Sequence, residues 1–249
     1  MSPFASRWIR RLARFTSLTL EEQRLLMELT SSSRPFPAND GLLKAGDAAD
    51  RVFLILDGLV CRYKLLPDGR RQILAYLFPG DMGDPRQLLL NCADCSMCVL
   101  RSSEIGVLTA ASMQRLERHP NIVLAISRYA LMQQAIASEW LVNVGHRTAF
   151  ERVSHLLCET YLRLEAVGLA QDLSFELALT QAELGDTLAL SAVHVNRTLM
   201  ELRRLKLVTF QNRRVQIHDY PGLQSAAGFD PQYLRANEEA PVRASTAVL

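Results

Sequence analysis

The glycines of this chain are placed in a way that few folds accommodate. Of twelve in 249 residues, seven fall between Gly41 and Gly106, and none lies between Val107 and Val144. Gly46, Gly58, Gly69 and Gly80 recur at spacings of 12, 11 and 11, with short β-rich runs at 51–56, 59–66 and 72–78. Pro67-Asp68-Gly69 is a turn in which Pro presets φ and Gly supplies a positive one. Regular turn signals with strands between them read as a β-sandwich or barrel. The glycine-free stretch that follows reads as helix, since Pro120 suits a first turn and apolar periodicity continues to about Asn143.

Within that helix Ile122, Ile126, Tyr129, Gln133, Ile136 and Trp140 recur at alternating steps of four and three, and Leu124 and Leu131 mark a second apolar face. Two faces invite two partners: the chain's own barrel and a second copy of the chain. Ile136, on the seam, is the expected dimer contact. Asn143-Val-Gly145-His146 reads as a hinge. Thr19-Leu-Glu-Glu22, Thr148-Ala-Phe-Glu151 and Thr180-Gln-Ala-Glu183 each match a capping box that opens a helix.

The third box opens a short helix to about Leu188. Ala189-Leu190 gives a turn, and Ser191 is a good N-cap for a second helix reaching about Leu205. Leu184, Leu188, Val195, Leu199 and Leu202 supply a small shared core. Strand, polar turn and strand follow at 207–217, the pattern of a β-hairpin wing. Between Leu190 and His218 stand six basic residues (Arg197, Arg203, Arg204, Lys206, Arg213, Arg214) against one acid, Glu201. The whole chain carries only +2, so the remainder is net acidic. Positive charge confined to one short segment is the footprint of a surface that meets phosphates. A helix, a tight turn and a second helix with basic residues outward is a helix-turn-helix.

From about residue 20 to 220 the chain resembles the Crp/Fnr family of bacterial regulators in order and spacing. The resemblance rests on Val52-Phe-Leu-Ile-Leu-Asp-Gly58, Pro79-Gly-Asp81, Leu179-Thr-Gln-Ala-Glu-Leu184 and, above all, Leu190-Ser-Ala-Val-His-Val-Asn-Arg197-Thr-Leu-Met-Glu-Leu202. It implies an α+β chain: an N-terminal jelly-roll β-barrel, a long dimerisation helix and a C-terminal winged helix-turn-helix. The corresponding division is 1–110 for the N-terminal helix and barrel, 111–145 for the dimer helix and hinge, and 146–220 for the DNA-binding domain. Residues 221–249 form a tail expected to be poorly ordered.

The resemblance also implies a homodimer on double-stranded DNA with a two-fold symmetric operator, and RNA polymerase as a further partner. Arg197 matches the family's guanine-reading arginine, and a guanidinium can donate two bonds to guanine O6 and N7. Val193 stands where many members carry a cytosine-reading glutamate. It cannot accept a hydrogen bond, which leaves His194 and Asn196 as local substitutes and a thymine methyl as a possible contact for Val193. Thr180, Gln181 and Ser191 are expected at phosphates, and Arg213 at the wing tip. No enzymatic role is expected: no phosphate loop or Gly-x-Ser-x-Gly occurs.

The sensed signal is left open. Cyclic-nucleotide-binding relatives carry a Gly-Glu pair for the ribose and an Arg-Ser/Thr-Ala run for the phosphate. Here the first place reads Gly83-Asp84, displaced in spacing, and the second Asp94-Cys95-Ser96, so cyclic AMP is not expected. Cys92, Cys95 and Cys98 have the spacing of iron–sulfur ligands, with Cys61 available as a fourth, so a redox or iron–sulfur-responsive regulator is the alternative. Fnr-type relatives place such cysteines near the N-terminus, where this chain has none, and on a strand Cys95 and Cys98 would face opposite sides. A different class, a cyclic-nucleotide-binding module of a larger system, would share the barrel alone. The odd count of five cysteines and the lack of an export signal argue for reduced thiols in the cytoplasm, and no apolar run suits a membrane.

Overall fold

A computed structural model of the chain describes residues 3–85 and 91–234. Two helices, α1 (Pro3–Ala13) and α2 (Leu20–Leu29), precede a curled antiparallel sheet of β1 (Arg34–Phe36), β2 (Gly41–Leu43), β3 (Arg51–Leu65), β4 (Arg71–Leu77) and β5 (Ser96–Thr109). The ladder order is β1-β5-β3-β4, with β2 also on β5. This is the expected N-terminal sheet domain, with one difference in its strands. The runs at 51–56 and 59–66 are one strand, bent where the register with β5 slips around Asp57 and Leu59. Gly58 makes the bend, at φ +87°, and a Cβ there would sit 2.2 Å from Ser103 Oγ. Both faces of the sheet are buried. Phe53, Ile55, Val60, Leu77, Met97, Val99 and Ile105 pack together on one, while Leu54, Leu56, Cys61, Ile73 and Tyr76 turn to the helices on the other.

A short helix, α3 (Ala110–Leu116), leads into α4 (Pro120–His146), which has Pro in its first turn and runs through Gly145 without a break. Ile122, Tyr129, Ile136 and Trp140 are buried in the chain's own core. The seam expected at a dimer contact therefore packs on the chain's own sheet domain, and Ile136, 2% exposed, is unavailable to a partner. The face left open carries Leu124, Leu131, Leu141 and Val142.

The C-terminal half comprises α5 (Ala149–Glu165), β6 (Ala170–Gln171), β7 (Ser174–Glu176), α6 (Gln181–Leu188), α7 (Ala192–Arg204), β8 (Val208–Gln211), β9 (Arg214–Ile217) and α8 (Tyr220–Ala227). All three expected capping boxes form, at α2, α5 and α6. Residues after about Pro221, expected to lack order, instead make α8 and a 3-10 turn at Pro231–Leu234 that bury Leu223, Ala227, Phe229 and Leu234. Asp219 caps α8 through the Gly222 amide at 2.9 Å, Pro221 occupies its first turn and Gly228 closes it in the left-handed region. The prolines and glycines thus punctuate a helix there. Residues 235–249 of that tail lie outside the described residues.

A buried charge cluster joins the halves. Asp81 sits between Arg163 of α5, 2.8 Å away, and Arg11 of α1, at 3.1 Å. The Arg11 contact is close but not aligned as a hydrogen bond, whereas Arg11 does donate to the Arg163 carbonyl at 3.1 Å. Arg163 also reaches Glu159 at 3.1 Å and the Tyr76 carbonyl at 2.9 Å, and Glu159 accepts from Trp140 Nε1 and Tyr233 Oη. Burial pushes the Glu159 carboxyl up, with Arg163 opposing. Removing one partner of such a set leaves a buried charge uncompensated, at a cost of about 3–5 kcal/mol. Asp81→Asn is expected to destabilise the fold by roughly that amount, measured by urea denaturation; a change within experimental error would show that the cluster contributes nothing net.

Candidate nucleic-acid interface

The sequence dictates the bihelical hairpin locally. Thr180 Oγ1 accepts from the Glu183 amide at 3.1 Å while the Thr180 amide donates to Glu183 Oε2 at 2.6 Å, which fixes the start of α6. Its end is fixed by Ala189 in the left-handed region, φ +54°. Gly185 lets the turn close: the Leu190 amide donates to its carbonyl at 3.1 Å, and a Cβ on Gly185 would lie 2.5 Å from the Leu190 carbonyl oxygen. Ser191 then caps α7, accepting from the His194 amide at 3.2 Å. Leu184, Leu188, Val195 and Leu202 close the shared core.

That core decides which side of α7 faces out. Val193, Arg197, Met200 and Arg204 follow one another at steps of four, three and four, so they form one ridge with Asn196 beside it, and all are exposed. Val193 and Met200 are 72% and 67% exposed, which places apolar surface beside the cations of the ridge. Arg197 takes part in no hydrogen bond or ion pair among the described residues and stands free at the ridge centre. His194 is exposed alongside it. Asn196 Nδ2 donates to Gln181 Oε1 at 3.2 Å, tying the two helices at their outer edge. The wing is β8 and β9, joined by a two-residue turn at Asn212 and Arg213 with φ of +50° and +62°, the twist that suits a tight hairpin. Arg213 is exposed at its tip, while Arg214 Nε donates to Ser174 Oγ at 2.9 Å and so belongs to the sheet. All eight expected contact residues are exposed, with Thr180 and Ser191 at the N-caps of the two helices.

What sequence reasoning missed is how this unit is held. Glu183, the capping-box carboxylate, also takes a two-pronged bond from Arg101 of β5, at 3.0 and 2.7 Å. Burial pushes its pKa up, but Arg101 and Thr180 outweigh that and hold it below the usual range. Asp186 pairs with Arg71 of β4 at 2.8 Å, and Tyr76 Oη meets Thr187 Oγ1. The first helix of the hairpin is therefore docked on the sheet domain by residues more than 80 positions away, which no local pattern signals.

The cysteines do not converge. Cys92 is exposed, Cys95 Sγ accepts from Arg62 Nε at 3.2 Å, and Cys98 Sγ lies 3.4 Å from Cys61 Sγ. Among the described residues no three His, Cys, Asp or Glu side chains are grouped to hold a metal. The shared ligand set drawn from Cys92, Cys95 and Cys98 is thus not assembled, because Cys95 and Cys98 engage different neighbours. No helix of the described residues is long and apolar enough to cross a membrane.

A sheet domain feeding a long helix and a winged helix-turn-helix defines a class of DNA-binding transcription regulators. Residues 33–119 match the model of the cyclic nucleotide-binding domain, and residues 151–226 match that of the Crp-like helix-turn-helix domain. The chain is 29% identical to the transcriptional activatory protein AadR of Rhodopseudomonas palustris over 72% of its own length and 74% of that protein's. It is 26% identical to the transcriptional activator FnrL of Cereibacter sphaeroides, covering 84% and 86% of the two chains. Its fold matches the structure of FixK2 from Bradyrhizobium japonicum with a TM-score of 0.69 and 22% identity, over 78% of this chain and 96% of that one. The chain belongs to the Crp/Fnr family.

Two arginines on this surface are expected to behave differently. Arg213→Ala should weaken binding to all DNA sequences alike and lower the slope of log affinity against log salt by about 1. Arg197→Ala should instead cost roughly 1–3 kcal/mol at one base position and relax discrimination there. Binding titrations across salt and across single-base operator variants measure both, and equal losses on all sequences for Arg197→Ala would remove its reading role.

Proposed function

We propose that this chain is a homodimeric, sequence-specific transcription regulator of cytoplasmic DNA, with RNA polymerase as a further partner and a signal other than a cyclic nucleotide. The observation that carries the reading is the exposed ridge of α7, with an unengaged Arg197 between Val193 and Met200. In the bound complex Arg197 takes a guanine, Val193 a thymine methyl, and His194 and Asn196 adjacent base edges. Asn196 exchanges its bond to Gln181 for that role. Thr180, Gln181, Ser191 and Arg213 meet phosphates.

The dimer contact is the open face of α4. Leu124, Leu131, Leu141 and Val142 are exposed along one side of a helix whose other side is already sealed, and apolar side chains spaced along an open helix face favour association. A two-fold axis along α4 sets the two copies of α7 one helical turn of DNA apart, about 34 Å.

The nucleotide reading is disfavoured by what surrounds Arg62. Its guanidinium lies 3.2 Å from Asp94 and 3.9 Å from Asp84, and it donates to Cys95. A phosphate there would meet two carboxylates and a cation that they already neutralise. The adjoining cleft, lined by Met82, Gly83, Asp84, Tyr129 and Gln133, encloses about 140 Å³, against roughly 300–1,000 Å³ for ordinary ligand pockets.

Selection of bound fragments from random DNA by the purified protein is expected to return a two-fold symmetric motif; no enriched motif from a dimeric preparation would reject the reading. Leu131→Glu should give monomers in sedimentation, unchanged melting and loss of that motif. Ile136→Glu, buried on the other side, should fail by unfolding.

A further inference from the structure

Two sulfurs remain without a role in the reading above. Cys61 of β3 and Cys98 of β5 are register partners, with their Sγ atoms 3.4 Å apart in the buried layer between the sheet and the helices. The register continues: Cys61 is opposite Tyr76 of β4. Tyr76 Oη bonds to Thr187 Oγ1 and donates to the Glu183 carbonyl at 3.3 Å, both on α6. A single row of side chains thus crosses three strands as Cys98, Cys61, Tyr76 and ends on the first helix of the DNA-binding hairpin. Arg71, whose charge acts on the same sulfurs, reaches Asp186 of α6.

We propose that Cys61 and Cys98 are a reversible dithiol–disulfide site for a peroxide, and that its closure weakens the docking of α6 on the sheet domain. Cys98 is the attacking sulfur. The S–H of Cys61 holds its thiolate, and Arg71 adds to this against burial, so its pKa falls; the same hydrogen bond and burial push Cys61 up. The Cys98 sulfur attacks one oxygen of hydrogen peroxide, forming S–O as O–O breaks, and the departing hydroxide leaves as water with the proton Cys98 gave up. Cys61 sulfur then attacks the sulfenic sulfur: S–S forms, S–O breaks, and the Cys61 proton leaves with that oxygen as a second water. Two thiols lose two electrons and the peroxide gains them.

Closure has a mechanical consequence. A disulfide holds its sulfurs at ~2.05 Å, so the 3.4 Å separation must shrink by more than 1 Å. Cys61 moves toward β5 and away from Tyr76. If the ring follows, its hydroxyl is drawn from Thr187 and the hydrogen bond weakens steeply. If it stays, a void opens in a packed layer and contact is lost there. In the first case α6 loses its bond to Tyr76; in the second the ring that carries that bond loses the packing behind it.

The test uses the full-length wild-type protein treated with equimolar hydrogen peroxide, digested without reduction and mapped by mass spectrometry. The expected product is one linked pair of peptides carrying Cys61 and Cys98, two hydrogens lighter than the free peptides and released by dithiothreitol. In the same samples hydrogen exchange at the amides of α6 should rise several-fold on oxidation and return on reduction, and Cys98→Ser should show neither change. Sulfinic acid on Cys98 without the cross-link, a cross-link to Cys92 or Cys95 in its place, or the Cys61–Cys98 link with α6 exchange unaltered would each overturn the proposal. Neither readout involves DNA, so the result stands apart from the regulator reading.

Discussion

Four charged side chains in a dry layer, Arg11, Asp81, Glu159 and Arg163, set the terms for everything around them. Each ion removed from water costs several kcal/mol, and only its partners offset that loss. The partners come from the N-terminal helix, the turn after β4 and the first helix of the C-terminal half, so those three segments cannot separate without stranding a charge. Trp140 and Tyr233 complete the Glu159 shell, which adds α4 and the C-terminal turn to the same assembly. The joint to the DNA-binding hairpin is of another kind. Arg71–Asp186 and Arg101–Glu183 are partly open to solvent, where ion pairs are weak and salt screens them. The molecule therefore has a rigid frame and one softer seam, and that seam lies beside the hairpin that would meet DNA.

Where the fold was legible, the reason was local chemistry. Thr19, Thr148 and Thr180 each announced a helix because a capping box completes itself within four residues, and Ser191 did the same with a single hydroxyl. Gly58 marked a special backbone position correctly but was read as a break between strands. A glycine at positive φ serves a bulge as well as a turn, and only the pairing with β5 distinguishes them. The α4 seam shows a similar limit. Periodicity finds an apolar face but does not say whether the chain itself or a second copy covers it.

The candidate site divides in the same way. Val193 and Arg197 were legible through the resemblance to the Crp/Fnr family, and Arg213 because the strand-turn-strand pattern puts it near a hairpin tip. Arg101 and Arg71 were not, since a cation on a strand carries no mark of the carboxylate it will meet on a helix far along the chain. Glu183 was read as a cap and is one, yet both its oxygens also accept from Arg101 of the sheet domain. Cys61 was noticed only as a spare ligand, although strand register makes it the neighbour of Cys98.

The C-terminal turn bears on how this molecule can be taken apart. Tyr233 stacks on His155 and bonds to Glu159, and Phe229 packs against the same imidazole. A fragment ending at the last wing strand would seem to contain a complete DNA-binding unit. It would expose the underside of α5, and burial there holds His155 well below its ordinary pKa, at about 3. Any attempt to borrow the unit as a portable module, or to graft another regulator's hairpin onto this frame, has to carry residues up to Leu234 along with it.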